Sequence, residues 1–190
     1  MEIGKTLYCK NRGEWRAWLK KHSKTEKEIW LIYYRKATGK PRIPYNDAVE
    51  EALCFGWIDS IAKRIDEEKY AQRFSPRRKG SMLSQMNKER IRKMIKEGKM
   101  TDAGLEAVKH AFDAITDRED DFEIPAEILA EIKKDGAAWE NFKNFPEGYK
   151  RIRIAYIESQ GFHSRVAYER SLRHFIRMTA RNKRFGFIRN

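Results

Sequence analysis

The spacing of apolar residues changes character several times along this chain, and each change predicts an element. Trp15, Trp18 and Leu19 recur at helical spacing over residues 12–22. From Ile29 to Tyr34 both alternating faces are apolar, which suits a strand covered on two sides. Gly39, Pro41 and Pro44 break the chain, and Asn46 or Asp47 can cap a helix carrying Val49, Ala52 and Leu53, with Gly56 placed to stop it. Trp57 to Ile65 and Lys69 to Ser75 read as a hairpin joined through Asp66-Glu67-Glu68. A helix starts near Ser84, carries Ile91, Met94 and Ile95, and ends at Gly98; Thr101 caps another that runs to about Phe112.

Beyond a polar, acidic stretch from Asp117 to Glu123 the pattern is helical throughout. Pro125 and Pro146 suit first turns, and Ile128 with Ile132, Trp139 with Phe142, and Tyr149, Ile152 and Tyr156 supply apolar faces up to a stop at Gly161. From Arg165 to Arg181, Tyr168, Leu172, Phe175, Ile176 and Thr179 share one face, while Arg170, Arg173, Arg177 and Arg181 share the opposite one and Arg184 extends the line. The expected class is α+β: a small antiparallel sheet with packed helices over 1–116, an acidic linker over 117–124, and an all-helical C-terminal part over 125–190 packed on the core.

Composition narrows the picture. With 41% hydrophobic and 12% aromatic residues the chain can build a sizeable core. Its longest apolar run falls far short of the roughly 20 residues that a membrane helix needs, so no membrane insertion is expected. No apolar stretch of signal-peptide length opens the sequence, and Cys9 and Cys54 share no metal or redox spacing; a cytoplasmic location with free thiols is the expectation. The net charge of +13 is segregated: from the sequence, residues 1–60 carry +4, 61–100 carry +8, 101–150 carry −7 and 151–190 carry +8. Such segregation is satisfied by an acidic segment packing near a basic one, or by a surface that attracts phosphates, nucleic acid or an acidic partner.

Unusual residue choices concentrate between Gly56 and Asn87. Asp59 follows Trp57-Ile58 on a predicted strand, where a charge needs a partner. If hairpin partners have numbers summing to about 134, Asp59 lies opposite Ser75 and diagonal to Arg73 and Arg77, within reach of both. The loop Pro76-Arg77-Arg78-Lys79-Gly80-Ser81 then feeds a helix start, where free N–H groups favour an anion. Trp57, Asp59, Arg73, Arg77, Arg78, Ser81, Ser84 and Asn87 are therefore the candidate anion site. Each has a plain structural alternative: Ser84 as an N-cap, and Asp59 with Arg73 as an architectural ion pair. Arg170, Arg173, Arg177, Arg181 and Arg184 are the candidate nucleic-acid or partner surface, with an ordinary solvent face as the alternative.

Trp57-Ile58-Asp59, preceded by Glu50-Glu51-Ala52-Leu53-Cys54-Phe55-Gly56, resembles the hallmark of the bacteriocin-protection, YdeI/OmpD-associated family. Arg73-Phe74-Ser75-Pro76-Arg77-Arg78, the run from Ser81 to Asn87, and Gly98 to Gly104 continue it, with Leu83 where the family usually has tryptophan. The resemblance implies a connection with resistance to bacteriocins or cationic peptides and brings no reaction. A cationic protein repels a cationic peptide, so protection is expected to be indirect, through an anion or partner.

No glycine-rich phosphate motif or G-x-S-x-G elbow is present, and His22, His110, His163 and His174 have no metal spacing; no metal and no cofactor are expected. Three readings remain. The first is a non-enzymatic resistance or stress factor binding an anionic small molecule or acidic partner. The second is an enzyme with Asp59 as acid or base and an arginine holding its substrate. The third is nucleic-acid binding through the terminal arginine stripe, against which stands its lack of interleaved exposed aromatics.

Overall fold

The computed structural model describes residues 2–112 and 122–186. It divides into two compact units: a sheet unit of Met1–Leu83 with Arg90–Asp113, and a helical unit of Ser84–Glu89 with Ala114–Asn190. The acidic linker expected over 117–124 lies outside the described residues except for its last three.

In the sheet unit, β1 (Thr6–Tyr8), β2 (Ile29–Tyr34), β3 (Trp57–Arg64) and β4 (Lys69–Pro76) form a sheet of order β1-β2-β4-β3. The hairpin β3–β4 and the pair β2–β4 are antiparallel, whereas β1 runs parallel to β2. The sheet is thus mixed rather than wholly antiparallel. Three residues, Thr6–Tyr8, are too few to show a period, which hid β1 in the sequence. β2 lies inside the sheet, and Ile29, Trp30 and Leu31 are fully buried, matching the run of apolar residues on both its faces.

Helices α1 (Arg12–His22), α2 (Tyr45–Cys54), α3 (Gln85–Lys96) and α4 (Asp102–Val108) follow the predicted pattern, with small differences at the ends. Asn11 caps α1 by accepting from Glu14 N–H, and Thr101 caps α4 by accepting from Gly104 N–H. Helix α2 starts after Pro44, so Asn46 and Asp47 fall inside its first turn instead of capping it. Trp15 and Leu19 of α1, Val49 and Leu53 of α2, and Ile91 of α3 bury their side chains with Ile29, Leu31, Trp57 and Phe74.

Two buried carboxylates tie these helices together. Glu51 is 1% exposed and receives Arg12 Nε and Arg16 Nη1, each at 2.5 Å. Glu50 takes Arg12 Nη1 and Lys93 Nζ, each at 2.9 Å. Close backbone approach fixes a further contact. A Cβ on Gly104 would stand 2.3 Å from Cys54 O, and Thr101 Oγ1 donates to the same carbonyl at 2.6 Å, so α4 sits directly on the end of α2. Gly56, at φ 75°, ends α2 in the left-handed conformation that glycine adopts without strain.

The helical unit contains α5 (Ala126–Lys133), α6 (Gly136–Lys143), α7 (Glu147–Gly161) and α8 (Arg165–Ala180). Asp135 and Ser164 cap α6 and α8 through their side-chain oxygens, while Pro125 and Pro146 stand one residue before α5 and α7. Ile128, Ile132, Phe142, Tyr149, Ile154, Ile157, Leu172 and Phe175 make a separate core. Among the described residues no helix is long and apolar enough to cross a membrane.

Gly104→Ala forces backbone apart at the α2–α4 contact and is expected to destabilise the fold by about 1–3 kcal/mol, read as a lower urea midpoint. Burial pushes the thiols of Cys9 and Cys54 up to about 12 and about 11 respectively. At pH 8 a disulfide-exchange reagent should therefore leave both cysteines unlabelled in the native protein and label both in denaturant.

Candidate functional site

The β3–β4 register decides which candidate residues meet. Around Asp59 the pairs are Trp57 with Pro76, Ile58 with Ser75 and Asp59 with Phe74; beyond an irregularity they become Ala62 with Gln72 and Lys63 with Ala71. Near Asp59 the partner numbers therefore sum to one less than the expected 134. A one-residue slip moves every side chain of a strand to the other face. Asp59 consequently shares the core-facing side with Phe74 and Gln72, while Arg73 stands on the opposite side across from Trp30.

The expected pairing of Asp59 with Arg73 or Arg77 does not form. Asp59 Oδ2 instead accepts from Tyr45 Oη at 2.6 Å and Gln72 Nε2 at 3.3 Å. Burial, then this hydrogen bond, raises the Tyr45 phenol above its ordinary value. Arg73 binds Glu28, with Nη2 at 2.7 Å and Nε at 2.8 Å from the same oxygen, and reaches Ser60 Oγ at 3.3 Å. The Arg73 hydrogen bond holds the Glu28 carboxyl below its usual range. Trp57 is 1% exposed and its indole N–H donates to Ser23 O, so it presents no face to a ligand.

The basic loop is closed on itself. Arg77 Nη2 donates to Ser81 Oγ at 3.1 Å, to Ser81 O at 3.3 Å and to Met82 O at 3.0 Å. Burial depresses its pKa, and its Nε has no hydrogen-bond partner. Arg78 is exposed. Ser84 and Asn87 belong to the helical unit, where Ser84 Oγ accepts from Asn87 N–H at 3.3 Å, the N-cap arrangement. Among the described residues of the sheet unit, then, Arg77 and Ser81 are the candidates joined to one another by a hydrogen bond.

The arginine stripe has a different outcome. Arg170, Arg173 and Arg177 line an open cavity of about 970 Å³ within the helical unit, together with His174, Gln160 and Tyr156. Arg181 and Arg184 are exposed and do not line it. At its wall is a residue absent from the sequence-based candidates: Arg153 on α7 is 9% exposed, and its Nε makes no hydrogen bond. No carboxylate among the described residues reaches it. Its guanidinium lies over the rings of Phe185 at 4.0 Å and Tyr156 at 4.9 Å.

Its neighbours on α7 are paired: Arg151 grips Glu89 with two bonds of 2.6 and 2.9 Å, and Lys150 binds Glu147 at 2.6 Å. Burial lowers the Arg153 pKa, as it does that of His174, where Arg177 and Arg153 add repulsion. Arg177 Nη2 stands 3.1 Å from His174 Nδ1. A guanidinium can only donate, so that nitrogen accepts and the neutral ring carries its proton on Nε2. Among the described residues no acidic side chain lines the cavity, although Glu169 lies 3.7 Å from Arg173. Among the described residues no group of three or more metal-ligating side chains is assembled.

The family model described as Domain of unknown function (DUF8412) matches residues 7–107. Residues 121–182 match the model described as Bacteriocin-protection, YdeI or OmpD-Associated, the resemblance expected from the sequence. That match lies on the helical segment, whereas the motif around Trp57 and Asp59 falls within the other one. No curated protein and no solved structure matches the chain.

The register makes a direct prediction. A double-mutant cycle between Arg73 and Glu28 should give a coupling of about 0.5–1 kcal/mol, because both groups are part-exposed, and one between Arg73 and Asp59 should give none. The Glu28 carboxyl is depressed when folded, so this coupling is complete above the unfolded value of about 4.3. It fades as pH falls through the lower folded value, which chemical denaturation at pH 3 and pH 6 would register.

Proposed function

The chain belongs to the DUF8412 family, whose description names no activity, and we propose from its other segment that it is a non-enzymatic factor binding an anionic ligand. The site is the arginine-lined cavity of the helical unit. One observation carries this reading: among the described residues Arg153 is a buried cation without a carboxylate, whereas the other buried cations on α7 have one. A buried charge costs several kcal/mol unless an opposite charge or hydrogen bonds compensate it. Arg170, Arg173 and Arg177 add positive potential on the neighbouring wall, and planar guanidinium groups suit phosphate and carboxylate oxygens.

This moves the anion site away from the Trp57–Asn87 cluster, where Arg73 is turned to Glu28 and Arg77 to the loop's own carbonyls. An enzyme built on Asp59 would need Trp57 beside its substrate, and that indole is in the core. The bacteriocin-protection description of the 121–182 match is served indirectly, by sequestering or sensing an anion, since the protein's +13 charge opposes contact with a cationic peptide.

Calorimetric titration with tripolyphosphate at low salt tests the proposal. Saturable binding should weaken at least about tenfold in Arg153→Met, one contact to a charged group being worth roughly 1.5–3 kcal/mol. Circular dichroism should show the fold retained, because an apolar side chain of similar length replaces an uncompensated charge. Absent binding, or equal binding by the variant, would overturn the proposal.

A further inference from the structure

The cavity offers more than a phosphate needs. Its volume of about 970 Å³ leaves room beside the arginines for a second chemical group. Tyr156, 46% exposed, presents part of a flat ring at the cavity, and the Arg153 guanidinium lies over the rings of both Tyr156 and Phe185. Around these stand uncharged polar groups, Gln160 and the neutral His174 with its proton on Nε2. On α8, Arg170, Arg173 and Arg177 stand at three- and four-residue steps, with Cβ atoms about 5–6 Å apart, forming a row of cations beside the aromatic wall.

We infer that the ligand is a nucleotide, its phosphates held by Arg153 and the α8 arginines and its base stacked on Tyr156. This rests on the anion-binding reading above and adds the ligand's class. A cation row next to exposed aromatic rings is the arrangement that holds nucleotides without sequence-specific readout, since every base has a flat face. The stripe alone lacks exposed aromatics; α7 supplies one, Tyr156, through the fold, with the half-buried Phe185 behind Arg153. The same chemistry comes from two sources, a free nucleotide or a single-stranded nucleic acid, and binding measurements separate them.

The test compares ATP, tripolyphosphate and a twelve-residue single-stranded oligonucleotide on the whole chain. ATP should bind about tenfold or more tightly than tripolyphosphate, in line with the ~1–3 kcal/mol of base stacking on an aromatic side chain. In Tyr156→Leu the ratio of ATP to tripolyphosphate affinity should fall to about one, a split that misfolding, which weakens both alike from their unequal starting values, would not produce. Equal affinity for ATP and tripolyphosphate in the parent would overturn the nucleotide assignment and leave the anion site standing. Binding of none of the three would remove both. An oligonucleotide that outcompetes ATP, with log–log salt dependence of about two or more, identifies the single strand as the source; ATP binding at least as tightly identifies the free nucleotide.

Discussion

A charge withdrawn from water has to be compensated, and that constraint governs both units of this chain. In the sheet unit it is met internally. Glu51, 1% exposed, lies between Arg12 and Arg16 of α1, and Glu50 draws in Arg12 and Lys93 of α3. Removing either carboxylate would leave cations facing a partly desolvated gap, so the helices are pinned in one arrangement over the sheet. In the helical unit Arg151 and Lys150 follow the same rule, and Arg153 does not. The same physics that makes the first set architectural makes the exception the candidate for a site.

In the central motif, residues singled out as site candidates make architectural contacts. Trp57 fills the core and donates its indole N–H to Ser23 O. Asp59 stays on the core-facing side because the sheet pairs it with Phe74, and there a phenol and an amide, rather than a guanidinium, satisfy it. Arg77 turns Nη2 to Ser81 and Met82 and so holds its own loop, while its Nε stays without a partner.

Much of the fold was legible because its causes are local. Helices α1, α3 and α8, the β3–β4 hairpin and the stop at Gly56 follow from apolar period, capping oxygens and a left-handed glycine within a few residues of each other. The arginine stripe on α8 was legible for the same reason. What could not be read was β1, whose three residues carry no period, and the strand register, which turns on an irregularity between Asp59 and Ala62. Arg153 gave no signal: it alternates with Arg151 along the chain, and nothing local says that one finds Glu89 and the other lies over Tyr156 and Phe185.

By itself, then, the sequence determined every described α-helix and three of the four strands, their order, the α+β class and the placing of positive charge along one face of the last helix. Tertiary structure alone decided which charges are paired, which strand face Asp59 occupies, and that the α8 arginines gather with Arg153, Tyr156 and Phe185 around one cavity. The physical reason is range. Periodicity and capping act over one or two helical turns, whereas desolvation and ion pairing depend on side chains that only the folded chain brings within a few ångströms.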